Sequence, residues 1–253
     1  MTNLAIECSG TAGSVALFDG GTPIAYADLD PSLGSVRTIA GSIKAILRGH
    51  GVPKFVSVTN GPGSFTGLRV GLTTAKMLGL AWGIPIVPVD TLQAISLRAF
   101  GAVPRDRAGD PFVAVINAFR GQVFASVVEF DESGSMTVLA ESCVLDAAAW
   151  GVNPLWNLAL GNLGPGNLGL EQLLVSKSGR VWVTGPGLKN FPLSVARPEC
   201  SVVDESIWSP TAAEVAALGR VGFEAGTATT ADQLEPNYIR ASAAEEKRRQ
   251  VPG

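Results

Sequence analysis

The residues of this chain with the strongest chemical pattern are Gly61-Pro62-Gly63-Ser64-Phe65-Thr66-Gly67-Leu68-Arg69-Val70-Gly71, a glycine-rich turn that runs into an apolar stretch. Backbone N–H groups left open at a helix start attract phosphate, and Ser64, Phe65 and Thr66 would present them. The segment is not a P-loop, because Leu68 follows Gly67 where the phosphate-binding lysine would stand. Turn geometry is therefore its default reading. Metal chemistry is poorly supplied. His50 is the single histidine, and Cys8, Cys143 and Cys200 are odd in number and far apart, so no spacing suits a zinc site or a disulfide framework. A metallopeptidase with two histidines one helical turn apart is excluded on ligand count. His50, beside glycines, reads as an exposed helix end, and the three thiols are expected to be buried and reduced.

Charge narrows the field further. The 19 basic residues are outnumbered by 22 acidic ones, and the pI is near 5.3. Such a surface does not wrap nucleic acid unaided, so any RNA must be held mainly by a partner. With 46% hydrophobic and 16% charged residues, the composition describes a folded globular chain. Disorder is expected only at the charged tail, 245–249. The charge-free run 147–170 is long enough to span a bilayer, but Asn153, Pro154, Asn157, Asn162, Pro165 and Asn167 interrupt it, so it reads as a loop. Residues 1–10 carry no secretory pattern, and a cytoplasmic protein with no membrane contact is expected.

The elements that must position the glycine turn follow from periodicity. Residues 3–7, 14–18 and 24–28 read as three antiparallel strands joined by tight turns. The helical spacing of Val36, Ile39, Ala40, Ile43 and Ile46 predicts a helix over 35–48. A short strand at 55–58 leads to the glycine turn, where Ser64 caps a helix over 65–82. A strand at 84–89 and a helix at 91–100 follow. Three antiparallel strands followed by alternating helices and strands describe a ribonuclease-H-like α/β lobe. The Pro/Gly/charge cluster 104–111 marks a boundary, after which strands at 112–117 and 123–130 repeat the opening pair. Strand 181–184, turn 185–187 and a helix from 211 to about 221 complete the body. The chain is thus read as two lobes, 1–103 and 104–240, whose final helix could pack back on the first, with a flexible tail, 241–253.

Along the second helix Gly67, Gly71, Ala75 and Gly79 recur every four residues and form one stripe of small side chains. Two readings stand. The stripe packs on the protein's own sheet, or it receives a partner helix. The second is the expectation here, and it places a partner surface at Val36, Ile39, Ala40 and Ile43 of the first helix and at Gly67, Val70, Gly71, Thr74, Ala75 and Leu78 of the second.

The eleven-residue glycine segment resembles the signature of the TsaB (YeaZ) family, a Gcp-like, peptidase-M22-like branch of the actin/Hsp70/sugar-kinase superfamily. The likeness extends to 4–18, to Ile84-Pro85 through Thr91-Leu92, to the hairpin from Asn117-Ala118 to Val123, and to Glu235-Pro236-Asn237-Tyr238-Ile239-Arg240. It does not cover 141–209. The resemblance implies two ribonuclease-H-like lobes of the actin-like ATPase superfamily and a cytoplasmic, non-catalytic scaffold for tRNA N6-threonylcarbamoyladenosine (t6A) formation. That scaffold pairs with a TsaD-like catalytic subunit, is joined by a TsaE-like ATPase, forms a homodimer when alone, and meets tRNA only indirectly. It implies no catalytic, cofactor-binding or metal-ligating residue in this chain. The alternative within the same fold is a sugar-kinase-like ATPase. In ATP-using relatives an acid on the first strand and the hydroxyl-rich turn after it hold metal and phosphates. Here Glu7 replaces the usual aspartate, with Ser9, Thr11 and Ser14 following, and Asn117, Phe119 and Gln122 stand where relatives carry Asp, Arg and Glu.

Overall fold

The computed structural model describes residues 1–30, 35–104, 108–147, 180–192 and 200–239, and only the backbone of Ser35 and Val36. Strands β1 (Thr2–Glu7), β2 (Gly13–Asp19) and β3 (Thr22–Leu29) form the antiparallel meander. Helix α1 (Ser35–Ile46) leads to β4 (Phe55–Gly61), α2 (Phe65–Trp82), β5 (Ile86–Asp90) and α3 (Thr91–Ala102). The sheet order is β3-β2-β1-β4-β5, with β1, β4 and β5 parallel.

The same plan then repeats. Strands β6 (Pro111–Phe119), β7 (Gln122–Phe130) and β8 (Met136–Asp146) are antiparallel, and β9 (Val181–Thr184) and β10 (Cys200–Val202) run parallel to β6 on its other side. The second sheet has the order β10-β9-β6-β7-β8, the first sheet's pattern once more. β8 and β10 had no counterpart in the sequence reading. β10 is only three residues long, and the apolar runs 138–140 and 143–145 of β8 are split by Glu141 and Ser142, where its pairing with β7 shifts register. The presumed loop 147–170 lies, from residue 148 on, outside the described residues, as do Arg240 and the tail.

Burial explains which helix covers which face. β1 and β2 are buried on both sides and read as near-continuous apolar runs. On one face Leu4, Ile6, Val15 and Leu17 pack with Ile39, Ile43 and Ile46 of α1 and Leu72 and Ala75 of α2. On the other, Ala5 and Ala16 meet Ala212, Val215 and Ala216 of the last helix, α4 (Ala212–Glu224), together with Ala94 of α3. This helix packs on the first sheet. A capping box between Thr211 and Glu214 starts it, and Ser14 Oγ accepts the Ala212 amide at 2.8 Å. The opposite side of α3 faces the second sheet, where Leu92 and Ile95 pack on Ala114 and Ala99 on Phe112 and Phe130.

Candidate functional site

The C-terminal ends of β1 and β4 bring the two chemical segments of the sequence together. Ser64 caps α2 as the spacing predicted, accepting the Gly67 amide at 3.2 Å, and donates its own amide to the Ser9 carbonyl at 2.7 Å. The contact is close enough to exclude side chains. A Cβ on Gly63 would lie 2.5 Å from Ser9 O, and one on Gly67 only 2.1 Å from Cys8 O. The glycines of the signature are thus explained by a backbone pressed on the β1–β2 turn.

A second packing partner comes from the far end of the chain. Asn237 donates its amide to Asn60 O at 2.8 Å, and its carbonyl sits where a Gly61 side chain would be. Tyr238 then stacks on Phe65 with ring centroids 5.9 Å apart. The Arg69 guanidinium lies 3.8 Å over the Phe65 ring, and its Nε donates to Tyr238 Oη at 3.4 Å. Phe65 and Tyr238 remain about half exposed, so the glycine signature and the terminal motif form one surface patch. Residues 235–239 carry only a weak signal by themselves, and spacing could not have shown this docking.

The small-residue stripe faces inward, which corrects the expected partner surface. Gly67, Gly71, Ala75 and Gly79 are all buried. Gly71 rests on Cys8 and Val58, and Gly79 on Ile86. Ala75 is fully buried in the core with Ile39 and Ile43, so those two residues of α1 face the sheet as well. Val70 and Leu78 are half-buried against the same core, Thr74 is half-buried, Ala40 is exposed, and the side chain of Val36 lies outside the described residues. The physical reason is distance. Small residues let α2 settle directly on the sheet, with the Cys8 carbonyl against Gly67 and the side chains of Val58 and Ile86 against Gly71 and Gly79. The side chains that α2 turns to solvent are Phe65, Thr66, Arg69, Thr73, Met77, Leu80 and Ala81, with Met77 62% and Leu80 68% exposed.

The first-strand acid is also turned inward. Glu7 is 1% exposed, and its Oε1 accepts the Ser9 amide at 2.6 Å and the Ser9 hydroxyl. Burial pushes its carboxyl up to about 7, the Ser9 hydrogen bonds oppose that rise, and the Glu214 carboxylate adds to it. The equivalent hairpin of the second sheet differs. Phe119, at φ 60°, and Arg120, at φ 52°, hold left-handed backbone at its tip, with Phe119 72% exposed. Asn117 Oδ1 accepts the Phe119 amide at 2.7 Å, and its Nδ2 donates to Asn190 Oδ1 at 3.0 Å. Gly185 is held against the backbone of Val115. Cys8 is buried as expected, but Cys143 and Cys200 are only half-buried. Among the described residues no helix is long and apolar enough to cross a membrane.

Two five-stranded sheets of identical order, each with its meander and two parallel strands, define a duplicated ribonuclease-H-like protein of the actin-like ATPase class. Comparison with known proteins narrows the class. The family model described as "TsaD: tRNA N6-adenosine threonylcarbamoyltransferase" matches residues 36–248. The chain is 26% identical over 258 residues to the tRNA threonylcarbamoyladenosine biosynthesis protein TsaB of Escherichia coli (strain K12), spanning 100% of this chain and 99% of that one. It is 31% identical over 135 residues to the protein of the same description from Bacillus subtilis (strain 168), covering 51% and 56%. A crystal structure of an uncharacterized protein with similarity to peptidase YEAZ from Pseudomonas aeruginosa superposes with a TM-score of 0.71 at 22% identity, covering 94% of this chain and 99% of that one. The chain belongs to this TsaD-described family, in its TsaB (YeaZ) branch.

Proposed function

We infer that this chain is a subunit of the machinery that forms tRNA N6-threonylcarbamoyladenosine, and that it acts as a scaffold for a TsaD-like catalytic subunit. The full-length likeness to a TsaB biosynthesis protein carries the pathway assignment. The scaffold reading is supported by Glu7, whose carboxyl is spent on the Ser9 turn inside the protein. It is supported also by the outer face of α2, where Phe65, Met77 and Leu80 expose large apolar side chains that a partner would cover. In this reading Ala40 of α1 borders the same face, and half-buried Val70, Thr74 and Leu78 lie at its margin. The lobes 1–103 and 104–240 are its units, tied together by α3 and α4. A TsaE-like ATPase joins the pair, a homodimer uses the face when the partner is missing, tRNA is met through the partner, and the setting is the cytoplasm.

Co-purification with a TsaD-type subunit tests the reading. Met77→Glu combined with Leu80→Glu should leave the fold intact by circular dichroism and reduce binding at least tenfold, since both side chains already reach water. Ala75→Trp should instead unfold the monomer, because no space exists at a fully buried position. Undiminished binding by the double variant would place the partner elsewhere.

A further inference from the structure

The buried Glu7 carboxyl begins a chain of contacts that ends at the exposed patch. Glu7 Oε1 accepts the amide and hydroxyl of Ser9. The Ser9 carbonyl accepts the Ser64 amide at 2.7 Å, and Ser64 Oγ accepts the Gly67 amide. Gly63 and Gly67 leave no room for a side chain against Ser9 O and Cys8 O, so the glycine loop is seated directly on the β1–β2 turn. The loop continues into Phe65 and Arg69, against which Tyr238 packs. From these contacts we propose that Glu7 is a positioning residue for partner recognition, holding the Phe65–Arg69–Tyr238 patch in place through Ser9 and Ser64. The proposal rests on the scaffold reading above.

A buried carboxyl that holds a turn makes that hold sensitive to pH. Ionisation is disfavoured by burial, which outweighs the two hydrogen bonds from Ser9, and Glu214, from the first turn of α4, is the charged side chain that bears on it. The closed turn therefore favours the protonated acid. Its advantage over an opened, hydrated turn is fully present below about pH 4.5, falls as pH rises, and levels off once pH passes about 7. The glycine loop should open more often across that interval.

Residue-resolved hydrogen exchange on the intact chain tests this, with each amide corrected for its intrinsic base-catalysed rate. The Ser64 amide reports the hold, and the Val56 amide, bonded to Pro85 O in the same sheet, serves as reference. Between pH 5.5 and 7 the opening at Ser64 should rise about tenfold relative to Val56 in the native chain and stay flat in Glu7→Gln, whose amide oxygen still accepts from Ser9. Ser9→Ala removes one bond that favours the ionised acid, so the rise should persist and level off at higher pH. An equal rise at Ser64 and Val56, a rise that survives in Glu7→Gln, or no displacement in Ser9→Ala overturns the proposal. Titration with a TsaD-type subunit in the same buffers separates the two claims. If exchange follows Glu7 but no such subunit binds either form, the hold stands and the scaffold reading falls. If the subunit binds with an affinity difference between native and Glu7→Gln that ignores pH, Glu7 does not position the patch.

Discussion

The ring of Phe65 stacks on that of Tyr238 with planes 29° apart, joining the first turn of α2 to the terminal motif. Both rings are half exposed, so Tyr238→Ala should cost only about 1 kcal/mol of stability in a thermal melt. Partner affinity should fall about tenfold or more, as for an aromatic anchor beside an arginine. Tyr238→Phe should behave like the native chain in both measurements, because the hydroxyl contributes only a long, exposed hydrogen bond to Arg69.

Two glycine substitutions should have opposite signs. Gly67→Ala drives a methyl group to 2.1 Å from the Cys8 carbonyl, backbone that has no freedom to retreat, and should cost several kcal/mol by chemical denaturation. Gly41→Ala, on the exposed side of α1 with nothing within 4 Å, should stabilise by about 0.5–1 kcal/mol through helix propensity. A tolerated Gly67→Ala would show that α2 is not seated on the β1–β2 turn.

Glu7 should make global stability fall with rising pH. Its folded value of about 7 lies above the ordinary 4.5, so the folded state binds the extra proton in between, and stability declines from pH 4.5 to 7 by at most roughly 3 kcal/mol. Burial raises the Asp90 carboxyl too, with the same sign, so the native chain must be compared with Glu7→Gln. Urea titrations at pH 5 and pH 7 should show the stability difference between the two proteins change by a large part of that amount, and parallel curves would sink the assignment.

Asp90 ties the first lobe's last strand to β8. Its Oδ1 accepts the amides of Leu92 and Gln93 at 2.8 and 3.1 Å, capping α3, and its Oδ2 accepts the Ser142 hydroxyl at 2.7 Å. Asp90→Ala should cost about 2–3 kcal/mol in a denaturation experiment, the cap and the second bond being lost together. Asp90→Asn should cost less than about 1 kcal/mol, since its amide can cap the helix and still pair with Ser142.

Much of the architecture was legible because it is written in short-range periodicity. The meander, the α1 spacing of Ile39, Ile43 and Ile46, the Ser64 cap and the lobe repeat after residue 111 all depend on neighbours within a few positions, where φ/ψ preference and burial on one face act directly. The edge strands β8 and β10 escaped because Glu141 and Ser142 break the pattern of the first and the second is only three residues long.

Orientation and long-range docking were decided by the tertiary structure. The four-residue spacing of Gly67, Gly71, Ala75 and Gly79 showed correctly that some backbone comes close to α2, but a stripe of small residues is equally suited to a sheet beneath or a helix outside. Only the position of Cys8 and Ile86 against it chose the sheet. Likewise Glu7 and Ser9 are neighbours in sequence, yet whether the carboxyl points outward to a ligand or inward to the turn depends on α4 packing on that face of β1. The pairing of Asn237 with Asn60, and of Tyr238 with Phe65, joins chain segments whose local preferences are independent of one another, so no spacing rule encodes it. Packing free energy summed over the whole fold sets such contacts, and that sum exists only once the chain has closed on itself.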